Sequence, residues 1–166
     1  MSKSTENLKQ AFAGESQANR KYTAYAKKAE EEGYPQVACL FRAAAAAETV
    51  HAMNHFRALG EVKSTAENLK AAAGGENYEV VSMYPPFIAE AEKEGEKKAL
   101  TSFRWAWEVE KVHEELYGKA LETLGKEAGE LFDYYVCPVC GFTHERGAPE
   151  KCPICGTPGS RFELIG

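Results

Sequence analysis

Two Glu-x-x-His pairs, Glu48/His51 and Glu110/His113, are the residues of this chain whose types and spacing best suit metal chemistry. A spacing of three residues places both side chains of a pair on one face of a helix. Carboxylate oxygen and imidazole nitrogen suit iron or manganese, whereas thiolates favour zinc or copper(I). Each pair is therefore a candidate set of metal ligands.

A Gly-Glu dipeptide stands upstream of each pair and adds one carboxylate, Glu15 in the first half of the chain and Glu76 in the second. Two helices that give one Glu each, and two that give a Glu and a His each, form the ligand set of dinuclear carboxylate bundles. Cations offset the cost of gathering carboxylates in a core, and the carboxylates offset the repulsion between the cations. We therefore predict a dinuclear site. Placement of these side chains on solvated helix faces is disfavoured because the motif occurs twice.

Two further residues are candidates for the same site. Glu79 follows Glu76 by three residues, where the first half has Ala18, so the second half offers an extra carboxylate on that helix face. We interpret Glu79 as a ligand that binds one metal ion in one redox state and yields that position, to His51, in another. Tyr22 shares the face of Glu15 and can hydrogen-bond a ligand carboxylate. Packing of Tyr22 as a core aromatic is equally compatible with its position.

Four of the five cysteines form a second candidate site near the C-terminus. Cys137 and Cys140 belong to one Cys-Pro-x-Cys-Gly loop, and Cys152 and Cys155 belong to another. Four thiolates coordinate a metal tetrahedrally, and this spacing accepts either zinc or iron. Two tight pairs of cysteines indicate metal binding in a reducing compartment rather than a disulfide framework. Cys39 stands alone in a helical segment and is expected to be a small buried apolar residue.

The elements that position these residues are predicted to be helices over the first 125 residues or so, because Ala, Glu, Lys and Leu dominate there. The Pro85-Pro86 pair predicts a kink or break inside the third helix. The expected helices are one capped by Ser4 or Thr5 and ending near Glu32, one over 35–60, one capped by Ser64 or Thr65 and ending near Gly95, and one over 96–124.

An internal repeat organises these helices. The segment Glu6-Asn7-Leu8-Lys9 recurs 61 residues later, and the segment from Phe41 to His51 recurs 62 residues later, with one inserted residue reconciling the two offsets. We infer two copies of a helical hairpin that form a four-helix bundle. After Gly129 the composition changes to aromatics, Pro and Gly with short strand-like segments. The predicted domains are a helical bundle over 1–130 and a metal-binding β/loop domain over 131–166.

In these motifs and in their order along nearly the whole chain, the sequence resembles the rubrerythrin family. The resemblance implies a ferritin-like four-helix bundle with a di-iron centre, followed by a rubredoxin-like domain with one iron in a four-cysteine site. It implies a peroxidase that reduces hydrogen peroxide to water in oxidative stress defence. The residues that it implies for the di-iron site are Glu15, Glu48, His51, Glu76, Glu79, Glu110 and His113, with Glu48 and Glu110 as bridges.

The resemblance also implies a homodimer, in which the cysteine site of one subunit lies near the di-iron site of the other. Electrons would come from reduced pyridine nucleotide through a separate reductase or a rubredoxin. The alternatives are a ferritin-like ferroxidase that handles iron, and a non-enzymatic protein with a structural zinc ribbon. Zinc or manganese at one dinuclear position also stays open.

Composition excludes several other classes of protein. A net charge of −5 argues against a nucleic-acid partner, which usually requires a basic face. No run of about 18 apolar residues exists, so a membrane span is not expected. The N-terminal residues lack the apolar segment of a signal peptide, and we therefore expect a cytoplasmic protein.

Overall fold

The architecture comes from a computed structural model, which describes residues 2–126 and 131–166. Helices dominate, and a small three-stranded sheet lies at the C-terminus, so the predicted fold class is confirmed. The helices are α1 (Lys3–Glu31), α2 (Pro35–Ala58), α3 (Thr65–Tyr78), a π-helix (Glu79–Met83), α4 (Tyr84–Glu94) and α5 (Lys97–Thr123). The strands are β1 (Tyr134–Val136), β2 (Thr143–Glu145) and β3 (Glu163–Ile165). The chain divides into two compact units, Met1–Lys63 and Ser64–Gly166.

Helices α1 and α2 pack along each other to form the first unit. Their contact is lined by buried alanines, among them Ala26, Ala45 and Ala52, and small side chains let two helices approach closely. Asn19 on α1 donates a hydrogen bond of 2.7 Å to the Ala45 carbonyl and another of 2.8 Å to the Thr49 hydroxyl on α2. These bonds fix the register of the hairpin on which Glu15, Glu48 and His51 are carried.

Two expectations about this hairpin are wrong. The N-cap of α1 is Ser2, whose hydroxyl accepts a hydrogen bond from the Thr5 backbone N–H, and not Ser4 or Thr5. Cys39 is exposed, because its neighbour Ala38 takes the fully buried position on α2. A residue one position away on a helix is rotated by about 100°, so only one of the two faces the neighbouring helix.

The second unit begins with a predicted cap that is confirmed. The Ser64 hydroxyl accepts from the Glu67 backbone N–H, and the Glu67 carboxylate accepts from the Ser64 backbone N–H, which together make a capping box. The helix that starts here changes to π-helical geometry at Glu79–Met83 and continues as α4. The expected kink at Pro85-Pro86 thus takes the form of a change in helix type immediately before the prolines.

The π-helix contains the residue that the repeat analysis requires as an insertion. Glu79 matches Ala18 at an offset of 61 residues, whereas Tyr84 matches Tyr22 at an offset of 62, so the extra residue falls between positions 79 and 84. A π-helix accommodates one added residue without changing the helix on either side, because its hydrogen bonds run from residue i to i+5. The Tyr84 N–H accordingly donates to the Glu79 carbonyl.

Pro85 and Trp107 complete the hydrogen bonding of this segment. The Val80 carbonyl would pair with the N–H of residue 85 in a π-helix, but proline has no N–H. The indole N–H of Trp107 on α5 donates to the Val80 carbonyl instead, at 2.8 Å. The side chain from α5 therefore satisfies a backbone group that the π-helical geometry leaves without a partner in its own helix.

The two hairpins repeat each other's contacts as well as their sequences. Arg42 pairs with Glu30 in the first unit, and Arg104 pairs with Glu92 in the second. The Tyr22 ring lies 6.2 Å from the Phe41 ring, and the matching pair, Tyr84 and Phe103, lies at 6.4 Å. The inferred duplication is thus visible in the geometry of each hairpin.

The C-terminal domain is a small antiparallel sheet with strand order β2-β1-β3. Its core joins α5: Val109, which is 2% exposed, packs with Cys137, Phe142 and Cys152. The sheet is therefore anchored on the helix that carries Glu110 and His113.

The predicted domain boundary at 130/131 falls at residues 127–130, outside the described residues, and the division stays a prediction. Within residues 2–126 and 131–166, no helix has the length and apolarity that a bilayer crossing requires.

We predict that Trp107→Phe destabilises the π-helix, because the ring is kept while the donor to the Val80 carbonyl is lost. The expected cost is about 1–3 kcal/mol in the free energy of unfolding, the range for an unsatisfied buried polar group. Urea unfolding and amide hydrogen exchange at residues 79–84 measure it. Trp105→Phe, on the same helix, is the matched control, and equal effects of the two changes would contradict the prediction.

Candidate metal sites

The first cluster of possible ligands lies in the α1–α2 hairpin. One ligand atom from each of Glu15, Glu48 and His51 falls within 4.8 Å of the others. His51 Nδ1 is 2.9 Å from Glu48 Oε2, as expected for residues three apart on α2. The His51 side chain is 55% exposed, whereas Glu48 is 18% exposed. The structure brings these three residues together, and solvent reaches the cluster at its histidine.

The second cluster repeats the first in the other hairpin, with less exposure. One ligand atom from each of Glu76, Glu110 and His113 falls within 4.8 Å of the others. His113 Nδ1 lies 2.7 Å from Glu110 Oε2 and 4.0 Å from Glu76 Oε1. The His113 side chain is only 27% exposed. The α3 helix supplies Glu76 and α5 supplies the other two, as the repeat predicts.

The electrostatics of this second cluster favour a bound cation. Burial raises the pKa of Glu76, and the nearby Glu110 carboxylate raises it further, while His113 acts to lower it. The hydrogen bond with Glu110 raises the pKa of His113, against the opposing effect of burial. Without metal, these shifts favour protonated groups, which reduce the repulsion between the carboxylates. A divalent cation can replace those protons, so the residues present fit a metal site.

Glu79 lies beside this cluster at the first turn of the π-helix. Burial raises the pKa of Glu79, followed by the charge of Glu110, and His113 acts to lower it. The charges of Glu110 and His113 therefore act on the Glu79 carboxylate. Glu79 is not one of the three residues whose ligand atoms lie within 4.8 Å of one another. Burial, and then Glu79, raise the pKa of Tyr84. The extra carboxylate of the second half is therefore electrostatically coupled to the cluster in a way that Ala18 cannot be.

Tyr22 in the first unit has a packing role that the structure shows directly. Its ring contacts those of Phe41 and Tyr25, at 6.2 Å and 6.3 Å between centroids. This geometry agrees with the packing alternative for Tyr22. A hydrogen bond from its hydroxyl to a ligand carboxylate stays a prediction.

The four-cysteine site is built by two loops of matching geometry. In the first loop the Cys137 N–H donates to the Phe142 carbonyl at 2.9 Å, and in the second the Cys152 N–H donates to the Thr157 carbonyl at 2.7 Å. The glycine after each second cysteine, Gly141 or Gly156, has a positive φ of 86° or 79°. Glycine adopts this conformation without strain, and it lets each loop turn around a central point.

The four sulfur atoms already surround that point. Cys137 Sγ lies 3.5 Å from Cys155 Sγ, and Cys140 Sγ lies 3.5 Å from Cys152 Sγ. A metal with bonds of about 2.3 Å to four tetrahedral thiolates would place the sulfurs about 3.8 Å apart. The distances are far from the ~2.05 Å of a disulfide bond. The loops therefore fit a four-coordinate metal ion, as the sequence predicts.

The thiols of this site differ in acidity. Burial favours the neutral form of Cys155, but hydrogen bonds from the Thr157 hydroxyl and backbone outweigh it and lower the pKa of this thiol to about 6. The Thr157 hydroxyl lies 3.1 Å from Cys155 Sγ. Burial raises the pKa of Cys140. A thiolate is thus available at neutral pH to begin metal binding.

Sequence reasoning missed two hydroxyl groups at these sites. Thr157 contacts a cysteine sulfur, and Thr143 lies 3.0 Å from His113 Nε2. Thr157 is only two residues after Cys155, so the sequence could have predicted its hydrogen bond to the sulfur. No sequence signal connects Thr143 with His113, because 30 residues separate them and the contact depends on how the sheet packs on α5.

A helical chain with duplicated carboxylate–histidine clusters, joined to a tetrathiolate loop domain, defines a class of non-haem iron proteins. Comparison with known proteins identifies the family. The model of the rubrerythrin family matches residues 6–121, and that of the rubrerythrin rubredoxin-like domain matches residues 135–163. The chain belongs to the rubrerythrin family.

Individual relatives agree with this assignment. Nigerythrin of Nitratidesulfovibrio vulgaris is 41% identical over 95% of this chain and 84% of its own length. Rubrerythrin of Porphyromonas gingivalis is 39% identical over 98% of this chain and 90% of its own. A solved structure of nigerythrin in a mixed-valence state has a TM-score of 0.59 and 40% identity, and covers 99% of this chain and 88% of that one. The chain accordingly has a rubredoxin-like iron site at its four C-terminal cysteines and carboxylate–histidine clusters for a di-iron centre.

We predict that Glu76→Gln stabilises the metal-free protein increasingly as the pH rises above about 5. The pKa of Glu76 in the folded state is raised above 4.5, so the stability linked to its proton is present at low pH and is lost as the pH rises through the folded-state value. A glutamine has no charge to desolvate and does not titrate there.

Urea unfolding of metal-free protein at about pH 5 and about pH 7.5 measures this difference. Glu94→Gln, an exposed position on α4, is the control and should show no such trend. With Fe²⁺ added, the advantage of Glu76→Gln should disappear, because the change removes a ligand. A constant difference at both pH values would contradict the prediction.

Proposed function

We propose that this protein is a non-haem di-iron peroxidase that reduces hydrogen peroxide to water, with electrons relayed through its cysteine-bound iron. One observation carries the proposal: the cluster of Glu76, Glu110 and His113 belongs to the same compact unit as the four-cysteine domain, and His113 Nε2 lies 3.0 Å from the Thr143 hydroxyl of that domain. A one-electron site in contact with a dinuclear ligand cluster suits delivery of electrons to a substrate. Iron storage needs no such contact.

The proposed ligands follow the two clusters. Both clusters together would hold the two irons, with Glu48 and Glu110 as bridging carboxylates, and Glu79 would exchange with His51 at one of the irons. Tyr22 is proposed to hydrogen-bond a ligand carboxylate. The full set at the di-iron centre is Glu15, Glu48, His51, Glu76, Glu79, Glu110 and His113, with Tyr22 beside it, and the rubredoxin-like site is Cys137, Cys140, Cys152 and Cys155.

When bound, a pair of iron ions supplies electrons to the O–O bond and neutralises the charge that develops as it breaks. The chain's own residues provide three things. The carboxylates hold negative charge in a partly buried cluster, where it favours cations over other ligands. The exposed face of His51 leaves an approach for a small polar substrate. Burial, and then the charge of Glu110, raise the pKa of Glu79, so that its carboxyl group is protonated more readily than that of an ordinary glutamate.

The solved structures of one relative support iron as the metal. Nigerythrin has been solved in an all-ferrous state and in a mixed-valence state. Zinc has no redox chemistry and cannot pass electrons between the sites. The proposal extends to a homodimer, to a rubredoxin or NAD(P)H-dependent reductase as electron donor, and to a cytoplasmic role in oxidative stress defence. Each of these follows from the resemblance to the family.

We predict about three irons per chain in protein purified without added metal, from two ions in the carboxylate clusters and one in the cysteine site. The oxidised protein should be red from thiolate–iron(III) absorption, bleach on anaerobic reduction and regain colour within seconds of adding hydrogen peroxide. Cys152→Ser should lose one iron and the red colour, and its peroxide reduction with an electron donor should fall at least about tenfold.

Cys39→Ser is the matched control for that experiment, because Cys39 is an exposed cysteine outside both sites. It should keep the metal content, the colour and the activity of the unmodified protein. Zinc in the cysteine site, or a reduced protein that does not respond to peroxide, would overturn the proposal. Hundreds of irons per assembly would instead support ferritin-like iron handling.

We predict that Glu79→Ala lowers peroxide turnover about tenfold or more while the four-cysteine iron keeps its spectrum. The reason is that the change removes the one carboxylate that distinguishes the second cluster from the first. Steady-state peroxide reduction and iron content measure the effect, and Glu94→Ala is the control from the same helical segment. Unchanged turnover in Glu79→Ala would exclude Glu79 from the working site.

A further inference from the structure

His113 is held at both ring nitrogens, and each contact leads to a different site. Nδ1 lies 2.7 Å from Glu110 Oε2 in the carboxylate cluster. Nε2 lies 3.0 Å from the Thr143 hydroxyl oxygen in β2 of the cysteine domain. His51, in the same motif of the other hairpin, contacts Glu48 through Nδ1 and is twice as exposed. The contact with Thr143 therefore distinguishes His113 from its repeat counterpart.

The direction of these hydrogen bonds follows from the groups involved. The Thr143 hydroxyl donates to the Gly141 carbonyl at 3.1 Å, and a carbonyl can only accept. A hydroxyl has one hydrogen, so its oxygen must accept from the Nε2–H of His113. In the neutral ring this places the proton on Nε2 and leaves the Nδ1 lone pair facing the carboxylates of Glu110 and Glu76. A metal ion between them reconciles that arrangement, as does a proton when no metal is bound.

The packing around Thr143 makes the contact specific. Val109, one helical turn before His113, is buried against Cys137 and Phe142. A Cβ at Gly141 would stand 3.8 Å from Val109 Cγ1, so the cysteine loop lies close to α5. Thr143 itself is fixed in the sheet by its pairing with Val136. The hydroxyl is thus presented to His113 by a rigid strand beside an apolar contact, where the hydrogen bond is stronger than in water.

We propose that Thr143 is a positioning residue for His113. Its hydroxyl fixes the ring with Nε2–H toward the cysteine domain and Nδ1 toward the metal, and it joins the two sites through Nε2–H···Oγ–H···O=C of Gly141. Gly141 follows Cys140 directly in the chain. The positioning of the ring does not depend on the proposed function. A consequence for electron transfer between the two sites does rest on the proposed function. If the Thr143 hydroxyl is removed, the hydrogen-bonded link between the sites is lost, and transfer of an electron along it should become slower.

The first test uses metal-free protein and needs no activity. In ¹⁵N NMR of the histidine side chains at a pH where His113 is neutral, the unmodified protein should show His113 with its proton on Nε2 and slow exchange of that proton with water. Thr143→Val keeps the branched shape that a strand favours and removes the hydroxyl. It should speed the proton exchange about tenfold or more and mix the two tautomers. Thr143→Ser should restore the signals.

The second test measures the anaerobic affinity for Fe²⁺ and the rate at which the reduced cysteine-bound iron regains its colour after peroxide. Both should fall about tenfold in Thr143→Val, the usual effect of removing a group that orients a metal-bound histidine, and recover in Thr143→Ser. Thr101→Val is the matched control, because its hydroxyl on α5 bonds only to the Lys97 carbonyl of its own helix turn. It should leave both quantities unchanged.

The outcomes separate the two proposals. Unchanged His113 signals and Fe²⁺ affinity in a folded Thr143→Val would overturn the role of Thr143, whether or not the protein is a peroxidase. Altered signals in a protein that ignores peroxide would support the positioning role and overturn the peroxidase proposal. If Thr143→Val fails to fold, Thr143→Ala serves as the second variant without a hydroxyl. Failure of Thr143→Ser to restore the signals would also count against the role of the hydroxyl.

Discussion

The repulsion between carboxylates gathered around one histidine is the constraint on which the second unit depends. Glu76 and Glu110 converge on His113 and Glu79 stands nearby, and three negative charges in a partly buried cluster are unfavourable without compensation. The raised pKa values of Glu76 and Glu79 favour protons as compensation in the metal-free state, and cations can provide it when metal is bound. The helices α3 and α5 and the packing of the sheet on α5 hold the carboxylates close together despite this repulsion.

The two metal sites solve the problem of placing ligands in opposite ways. The carboxylate clusters use helices, where a spacing of three residues aligns two ligands and distant helices supply the third. The cysteine site uses tight loops, in which backbone N–H groups and positive-φ glycines turn four sulfurs toward one point. Helix-borne ligands leave space for exogenous molecules and for exchange of carboxylates. The loop-borne thiolates offer a metal ion four ligands that converge on one point.

Most of this arrangement could be predicted from sequence, because it rests on local periodicity. The Glu-x-x-His pairs, the repeat and the cysteine loops each carry their spacing in the chain itself, and the structure brings together the residues that those spacings indicate. The predictions that failed depended on finer information. Ser2 rather than Ser4 caps α1, because the helix begins two residues earlier than expected. Ala38 rather than Cys39 is buried, because a shift of one residue changes which face of a helix is covered. The contact of Thr143 with His113 arises only when the sheet docks on α5, and no local pattern records it.

The π-helix has a consequence for how the two halves came to differ. The two halves of a duplicated sequence are identical at first. They stay aligned residue by residue as long as every change is a substitution. In an ordinary helix, insertion of a single residue between positions 79 and 84 would rotate the rest of that helix by about 100° and change which of its residues face α5. Here a local widening of the helix absorbs the extra residue, and Tyr84, Glu92 and Phe103 keep the contacts of their first-half counterparts. The ancestral symmetry is broken beside the metal ligands and preserved around them.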